Sequence, residues 1–226
     1  MPLHDLLPEN DKKSNLLVRT EPVQGRSAAR VDTLLDAAAF VVDETGVDRL
    51  TTAMVSERAG ASIGTVYRYF PDRIALLEGL RDRAESRYRL AVVAEIQRVK
   101  PTNWWGAVEC ALTAFAQMYR AEPGFRIIRF TGTAPVGAAR DTDDGAADER
   151  PDFFAARFSE ILSEEYGLPA GDELTFRLGI AVQIADALIA QAFITDPAGD
   201  QQILAEAQAV VHSYLAGYYD GAPSKD

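Results

Sequence analysis

Residues 51–73 read TTAMVSERAGASIGTVYRYFPDR, and this stretch decides the fold. Its first half predicts a short helix that begins at a capping threonine and ends at Gly60, because glycine readily adopts the positive φ of a helix end. A second helix follows at once, capped by Ser62, and the Pro-Asp pair at 71–72 ends it and caps a third. Two short helices joined by a tight glycine turn form a helix-turn-helix, whose second helix fits the major groove of DNA.

Helical spacing of apolar residues continues on both sides of this motif. Residues 26–45 predict a helix that packs behind it. Residues 73–99 predict a long helix of about 40 Å, which would tie the motif to the rest of the chain. Five more helices are predicted at 103–120, 123–130, 151–165, 171–195 and 200–218, with a flexible loop at 131–150.

The formal net charge of −11 argues at first against a nucleic-acid partner, but the charge is unevenly distributed. Residues 12–90 hold 13 lysines and arginines against 11 acidic residues, whereas residues 91–226 hold 10 against 20. Phosphates respond to local rather than total charge, so a near-neutral first part joined to an acidic remainder is consistent with DNA contact at one end.

The motif resembles the DNA-binding domain of the TetR family of bacterial transcriptional regulators. The resemblance covers about residues 25–80. It is carried by Thr51, Thr52, the run AGASIGTVYRYF at 59–70, Asp72, Arg73, Leu76 and Leu77. Arg73 stands where lysine is usual, Ser56 where alanine is usual and Ala61 where valine is usual, and none of these breaks the motif.

The predicted helices and this resemblance together indicate an all-α homodimer with three parts. Residues 1–24 would be a flexible tail, and residues 25–71 a three-helix DNA-binding head. Residues 72–226 would be a larger helical body that dimerises and binds an effector. The favoured interpretation of this tail is a disordered leader, and the alternative is an arm whose Lys12, Lys13 and Arg19 reach the minor groove.

The resemblance also implies which residues contact DNA. Thr65 and Tyr67 would reach bases and phosphates, Tyr69 and Arg73 would hold phosphates, and Arg68 would do either. The full predicted set is Thr51, Thr52, Ser62, Ile63, Gly64, Thr65, Tyr67, Arg68, Tyr69 and Arg73.

The last two predicted helices are apolar on more than the single stripe that a monomer needs. A second buried face implies a partner, so we predict a symmetric four-helix contact between two copies. Its residues would be Leu174, Leu178, Ala181, Ala185, Leu188, Ile203, Ala207, Val210, Tyr214 and Tyr218. Burial of both helices in one large monomer core is the alternative.

Aromatic residues are more numerous in the body than its helices need for packing, which favours a pocket for a small, mainly apolar effector. It would lie between the long helix and the helices that begin near residues 103, 151 and 171. The predicted lining is Trp104, Trp105, Phe115, Tyr119, Phe153, Phe158 and Phe176, with Gln183 and Asp186 as the polar groups. The alternative is that these residues belong to the core.

An enzyme is not expected, although residues 60–64 match the G-x-S-x-G pattern of a nucleophile elbow. That motif needs a preceding strand and a nearby histidine, and the only histidines are His4 and His212. We predict no cofactor and no metal, because Asp141 and its acidic neighbours fit a calcium loop poorly. The single cysteine, Cys110, excludes an internal disulfide and is expected to be a buried thiol.

The sequence therefore predicts a ligand-responsive transcriptional regulator, most simply a repressor, that binds a palindromic operator as a dimer. A helical dimer that binds a protein partner and no operator is the alternative. No run of about 18 apolar residues is present, and the first residues are acidic rather than basic, so we expect a cytoplasmic protein without a membrane partner.

Overall fold

The computed structural model describes residues 25–125 and 153–220, and every regular element within them is a helix. The α-helices are α1 (Gly25–Thr45), α2 (Thr52–Arg58), α3 (Ile63–Tyr69), α4 (Arg73–Val99), α5 (Trp104–Ala121), α6 (Phe153–Tyr166), α7 (Asp172–Thr195) and α8 (Gln201–Tyr219). The all-α prediction is confirmed. A short 3-10 helix at Val47–Arg49 was not predicted. The tail at 1–24 and the loop at 131–150 lie outside the described residues, as does most of the helix predicted at 123–130.

Helices α2, α3 and α4 each begin at the predicted side-chain cap. A side-chain oxygen of Thr51, Ser62 and Asp72 accepts a hydrogen bond from the backbone N–H three residues later, at 3.2, 3.1 and 2.8 Å. Gly60 ends the first helix of the motif with φ +58°. The caps satisfy N–H groups that a helix start leaves without partners, which is how two seven-residue helices are held.

The described residues form two separate hydrophobic cores, and α4 contributes to both. The core of the head gathers the inner face of α1 with Val55, Val66 and Phe70. It also includes Leu76 and Leu80 from the first turns of α4, and the body core begins on the same helix at Ala84. The 27-residue α4 therefore joins the two cores without a break. The domain division between residues 71 and 72 stays a prediction.

Polar contacts fix α1 against the body. The Arg83 guanidinium donates to the Asp36 carboxylate at 2.6 Å and to the Leu35 carbonyl at 3.1 Å. The backbone N–H of Gly124, just after α5, donates to the Asp43 carboxylate at 3.0 Å. The head is thus held by α4 and, separately, by the segment that follows α5.

Helices α7 and α8 pack along each other and complete the body. Among the described helices, α7 alone is long and apolar enough to pass for a membrane span. However, 44% of its most apolar window is buried inside the body, and the core helix of a soluble protein passes the same test.

Candidate DNA-binding face and body cavity

The two sides of α3 differ sharply in exposure. Val66 and Phe70 are buried in the head core, as their spacing predicted. Tyr67, on the other side, is 46% exposed. The exposed residues of this helix are Ile63, Gly64, Tyr67 and Arg68. The structure therefore brings four of the predicted DNA-binding residues to one free surface.

Thr65 lies at the edge of this surface and is half-buried. Its backbone N–H donates to the Ser62 hydroxyl, and the two side-chain hydroxyls are 2.9 Å apart. A hydroxyl can donate once and accept twice, so Thr65 keeps capacity for a further hydrogen bond while the cap fixes its position.

A shallow groove runs between the starts of α2 and α4 and the exposed side of α3. Across it, the Thr52 hydroxyl donates to the Tyr67 hydroxyl at 3.2 Å. The groove is lined by Leu50, Thr51, Thr52, Tyr67, Pro71, Asp72 and Arg73. Four residues predicted to bind DNA thus share one concave surface, although they come from three helices and a cap.

Arg73 has a structural contact that the sequence did not reveal. Its guanidinium donates to the Val47 carbonyl at 2.9 Å, and its Nε is buried without a hydrogen-bond partner among the described residues. The contact was missed because the 3-10 helix at Val47–Arg49 was missed. Arg73 therefore holds this short helix whatever else it contacts.

Tyr69 is the least accessible of the predicted DNA-binding residues, at 8% exposure. Its hydroxyl accepts a hydrogen bond from the Ser27 hydroxyl of α1 at 3.3 Å. The Arg68 guanidinium carbon lies 5.6 Å from the centre of its ring. A phosphate contact by Tyr69 stays a prediction, and its ring is part of the head core.

In the described part of the body, an apolar cavity of about 50 Å³ lies among helices α4 to α8. It is lined by Tyr88, Val108, Ala111, Leu112, Phe115, Phe154, Ala155, Phe158, Leu178, Ala181, Val182, Ala185 and Val211. Phe115 and Phe158 were predicted to line a pocket, whereas Tyr88 and Phe154 were not. The signal for Tyr88 was available, because it lies on the inward stripe of the long helix.

The prediction that Trp104 and Trp105 line this cavity is wrong. Both pack against His212 of α8, with ring centroids 6.0 and 4.5 Å from the imidazole. The part of α5 that lines the cavity begins at Val108. The two tryptophans lie in the first turn of α5, so they contact the end of the body at which α5 begins.

The remaining pocket predictions also need correction. Phe176 is 59% exposed and Gln183 is exposed, while Tyr119 donates to the Asp186 carboxylate at 3.3 Å in the body core. Helix α7 turns its Leu178, Ala181, Val182 and Ala185 side to the cavity. At about 100° per residue, Phe176 and Gln183 lie on the other side of this helix, whereas Asp186 lies about 40° from Val182 and is bound by Tyr119. The side chain of Phe153 lies outside the described residues.

The dimer prediction placed five residues of the monomer core in the interface, four of them on α7. Leu174, Leu178, Ala181, Ala185 and Ala207 are at most 5% exposed, because they form the core of the body itself. Leu188, Ile203 and Tyr214 of the predicted set are half-buried. Large exposed apolar residues lie at other positions of the two helices: Phe176 at 59% and Ile194 at 73% on α7, Val210 at 42% and Tyr218 at 50% on α8. We call these four residues the outer face. Val210 and Tyr218 belonged to the predicted set.

The remaining candidate residues, Ser62, His212 and Cys110, have structural roles. Ser62 caps a helix that follows another helix, and His212 packs between tryptophans in the body, so the described residues contain no nucleophile elbow. Cys110 is 3% exposed, and burial raises the pKa of its thiol. Asp141 and its acidic neighbours lie outside the described residues.

The fold and the exposed α3 define the class: a helix-turn-helix DNA-binding protein whose head is carried on a helical body with an apolar cavity. Two family profiles match successive parts of the chain. These are "Bacterial regulatory proteins, tetR family" over residues 34–80 and "Tetracyclin repressor-like, C-terminal domain" over residues 102–219. The chain belongs to the TetR family of bacterial transcriptional regulators, which are DNA-binding proteins rather than enzymes.

Individual relatives agree with this assignment. The HTH-type transcriptional regulator BetI of Paraburkholderia phytofirmans is 40% identical over 81 residues, which is 33% of this chain and 42% of the relative. The chain thus matches less than half the length of such curated relatives. A TetR-family transcriptional regulator from Streptomyces coelicolor superposes with a TM-score of 0.69 at 31% identity, covering 83% of this chain and 98% of that one. A SmeT–triclosan complex shares the fold, with a TM-score of 0.50 at 18% identity, covering 88% and 93%.

Proposed function

We propose that this regulator is a ligand-responsive repressor that binds a palindromic operator in the cytoplasm as a homodimer. The observation that carries the proposal is the free surface of α3, where Tyr67 is 46% exposed while Val66 behind it is fully buried. A short, capped, exposed second helix of a helix-turn-helix is the element that enters the major groove.

DNA contacts divide between α3 and the groove beside it. Thr65 and Tyr67 read bases, since they lie on or beside the free surface of α3. Thr51, Thr52 and Arg73 hold phosphates, because hydroxyls, helix starts and arginines are the usual partners of phosphate oxygens. Such contacts fix the register of the head without reading sequence.

Dimerisation uses the outer face. Four large apolar side chains are exposed along two adjacent helices, and a second copy packed on these helices would bury them. The Arg177 guanidinium carbon lies 4.0 Å from the centre of the Tyr218 ring, which adds a cation–π contact at the edge of the outer face. A two-fold axis through this face places two heads on one palindrome.

The body cavity binds the effector. Its volume of about 50 Å³ holds only a few water molecules, whereas ligand pockets usually measure about 300–1,000 Å³. Ligand must therefore push the lining helices apart. Because Tyr88 of α4 lines the cavity and Leu76 of α4 lies in the head core, that displacement reaches the heads and releases the operator.

The test begins with selection of bound duplexes from a random library by the full chain. We expect an enriched palindrome, and we expect that a reporter placed behind it is silenced when the protein is expressed. Tyr67→Ala should abolish both effects while the protein remains folded and dimeric. Enrichment of no sequence, or silencing that survives Tyr67→Ala, would contradict the proposal.

A further inference from the structure

The cavity wall is almost entirely carbon. Tyr88 meets Phe115 edge to face at 5.3 Å between ring centroids and Phe154 at 4.8 Å, and Phe154 stacks on Phe158 at 5.2 Å. The other lining residues are alanines, valines and leucines. Among the lining side chains that the structure describes, only Tyr88 carries a polar atom, its phenolic hydroxyl.

The Tyr88 hydroxyl donates to a backbone carbonyl, and an acceptor atom of a ligand can take the place of that carbonyl. Tyr88, which is 7% exposed, donates to the Ala111 carbonyl of α5 at 3.2 Å, beyond the usual 2.5–3.0 Å for this pair of groups. Ala111 lies inside α5, so its carbonyl also accepts the helical N–H from four residues later. If the Tyr88 proton turns to a ligand, the Ala111 carbonyl therefore keeps a partner.

Charged groups do not face the cavity from the described residues. Asp186 lies one turn after the lining residue Val182, but it is not among the described lining residues, and its carboxylate accepts a hydrogen bond from the Tyr119 hydroxyl at 3.3 Å. An ion buried in this cavity would lose its hydration and meet no opposite charge among the described lining residues, which is strongly unfavourable. The wall thus selects against both carboxylates and ammonium groups.

We propose that the cavity takes an uncharged, mostly hydrocarbon molecule with one hydrogen-bond acceptor, such as a ketone, ester or ether oxygen, and that Tyr88 determines this specificity by donating to it. This inference rests on the proposed effector function of the cavity. It replaces Gln183 and Asp186, the polar groups expected from sequence, with a residue of α4.

The test uses the full chain and four six-carbon probes: 2-hexanone, n-hexane, hexanoate and hexylammonium. Dissociation constants are measured by ligand-observed NMR, without DNA. We expect 2-hexanone to bind at least about tenfold more tightly than either ion. Tyr88→Phe keeps the ring and removes the hydroxyl, so it should weaken 2-hexanone about three- to tenfold and leave n-hexane unchanged.

Two further variants locate the effect. Ala181→Leu fills the cavity and should abolish binding of both neutral probes, whereas Tyr166→Phe removes a hydroxyl from a residue outside the lining and should change none. The inference would be overturned if hexanoate or hexylammonium bound as tightly as 2-hexanone. It would also be overturned if Tyr88→Phe weakened both neutral probes equally, or if no probe bound.

The effector function itself is measured separately, by titrating 2-hexanone into the complex with a selected operator. Selective binding of 2-hexanone through Tyr88, without a change in operator affinity, would support the ligand class and contradict the proposed switch. Failure of every probe, with intact operator binding, would contradict the ligand class alone.

Discussion

Tyr67 is the residue on which base reading depends most directly. Its ring stands on the free side of α3, and its hydroxyl lies 3.2 Å from that of Thr52. Tyr67→Phe removes only the hydroxyl, and Thr65→Ala removes the other hydroxyl beside this surface. Each change should weaken operator binding by about 1–3 kcal/mol if a base contact is lost, and should leave random DNA unaffected.

Fluorescence anisotropy with a selected operator and a scrambled duplex measures this difference. Tyr166→Phe, in α6 of the body, is the matched control and should change neither affinity. Equal losses on the two duplexes would mean that Tyr67 and Thr65 do not read bases.

Arg73 should serve both the fold and the DNA contact. Because its guanidinium donates to the Val47 carbonyl at 2.9 Å, Arg73→Ala should lower the free energy of unfolding by about 1.5–3 kcal/mol. The change occurs twice in a dimer, so the slope of log affinity against log salt should also shrink by about 2.

Urea unfolding and salt titration separate these two roles of Arg73. Arg73→Lys keeps the charge but not the planar guanidinium, so it should restore the salt slope more fully than the stability. A salt slope that Arg73→Ala leaves unchanged would show that Arg73 supports the head only.

At the scale of elements, the segment after α5 is the second attachment of the head. Gly124 has φ +76°, and a Cβ added there would lie 3.1 Å from the Cα and 3.2 Å from the Cβ of Ala39 in α1. Gly124→Ala should therefore destabilise the protein by roughly 1–3 kcal/mol and disturb the contact between α1 and the body.

Gly179→Ala is the control for this change, because Gly179 is helical and a Cβ there meets nothing within 4 Å. Alanine should stabilise α7 by about 0.5–1 kcal/mol. Urea unfolding measures both variants, and a Gly124→Ala protein as stable as the original would show that α1 and this segment adjust freely.

The outer face allows a closely matched test of assembly. Val210→Asp places a charge in the proposed interface, whereas Val99→Asp makes the same change at the end of α4, where the valine is 46% exposed against 42% for Val210. Only Val210→Asp should produce monomers, because an unpaired charge is costly in an apolar contact. Light scattering gives the masses. A dimeric Val210→Asp protein with full operator affinity would move the interface elsewhere.

In the molecule as a whole, the sequence predicted the helix caps, which depend on neighbouring residues. It did not predict which side of α7 is buried, which depends on distant ones. Thr51, Ser62 and Asp72 act through bonds to backbone three residues away, so their roles follow from a short window. Which side of α7 faces the core depends on its packing against α5, α6 and α8, so the sequence indicated its apolar excess but assigned Leu178 and Ala181 to the wrong surface. Trp104 was misplaced for the same reason.

The body cavity shows the same limit. Aromatic content predicted that a pocket exists, and Phe115 and Phe158 lie in its wall. The polar group of the cavity is Tyr88 of α4, because the helix that supports the head also forms part of the body. The inward stripe of α4 predicted that Tyr88 is buried, but no local pattern shows that it lines a cavity rather than filling space.

Operator affinity is the most direct test of whether α3 reads DNA. The measurement is anisotropy of a labelled, selected palindrome and of its scrambled counterpart, titrated with the full chain across a range of salt concentrations. We predict that a dimer binds the palindrome about 10³-fold or more tightly than the scrambled duplex at physiological salt, and that affinity falls steeply as salt rises. Equal affinity for the two duplexes, or binding that salt does not weaken, would contradict the assignment of α3 as the helix that reads DNA.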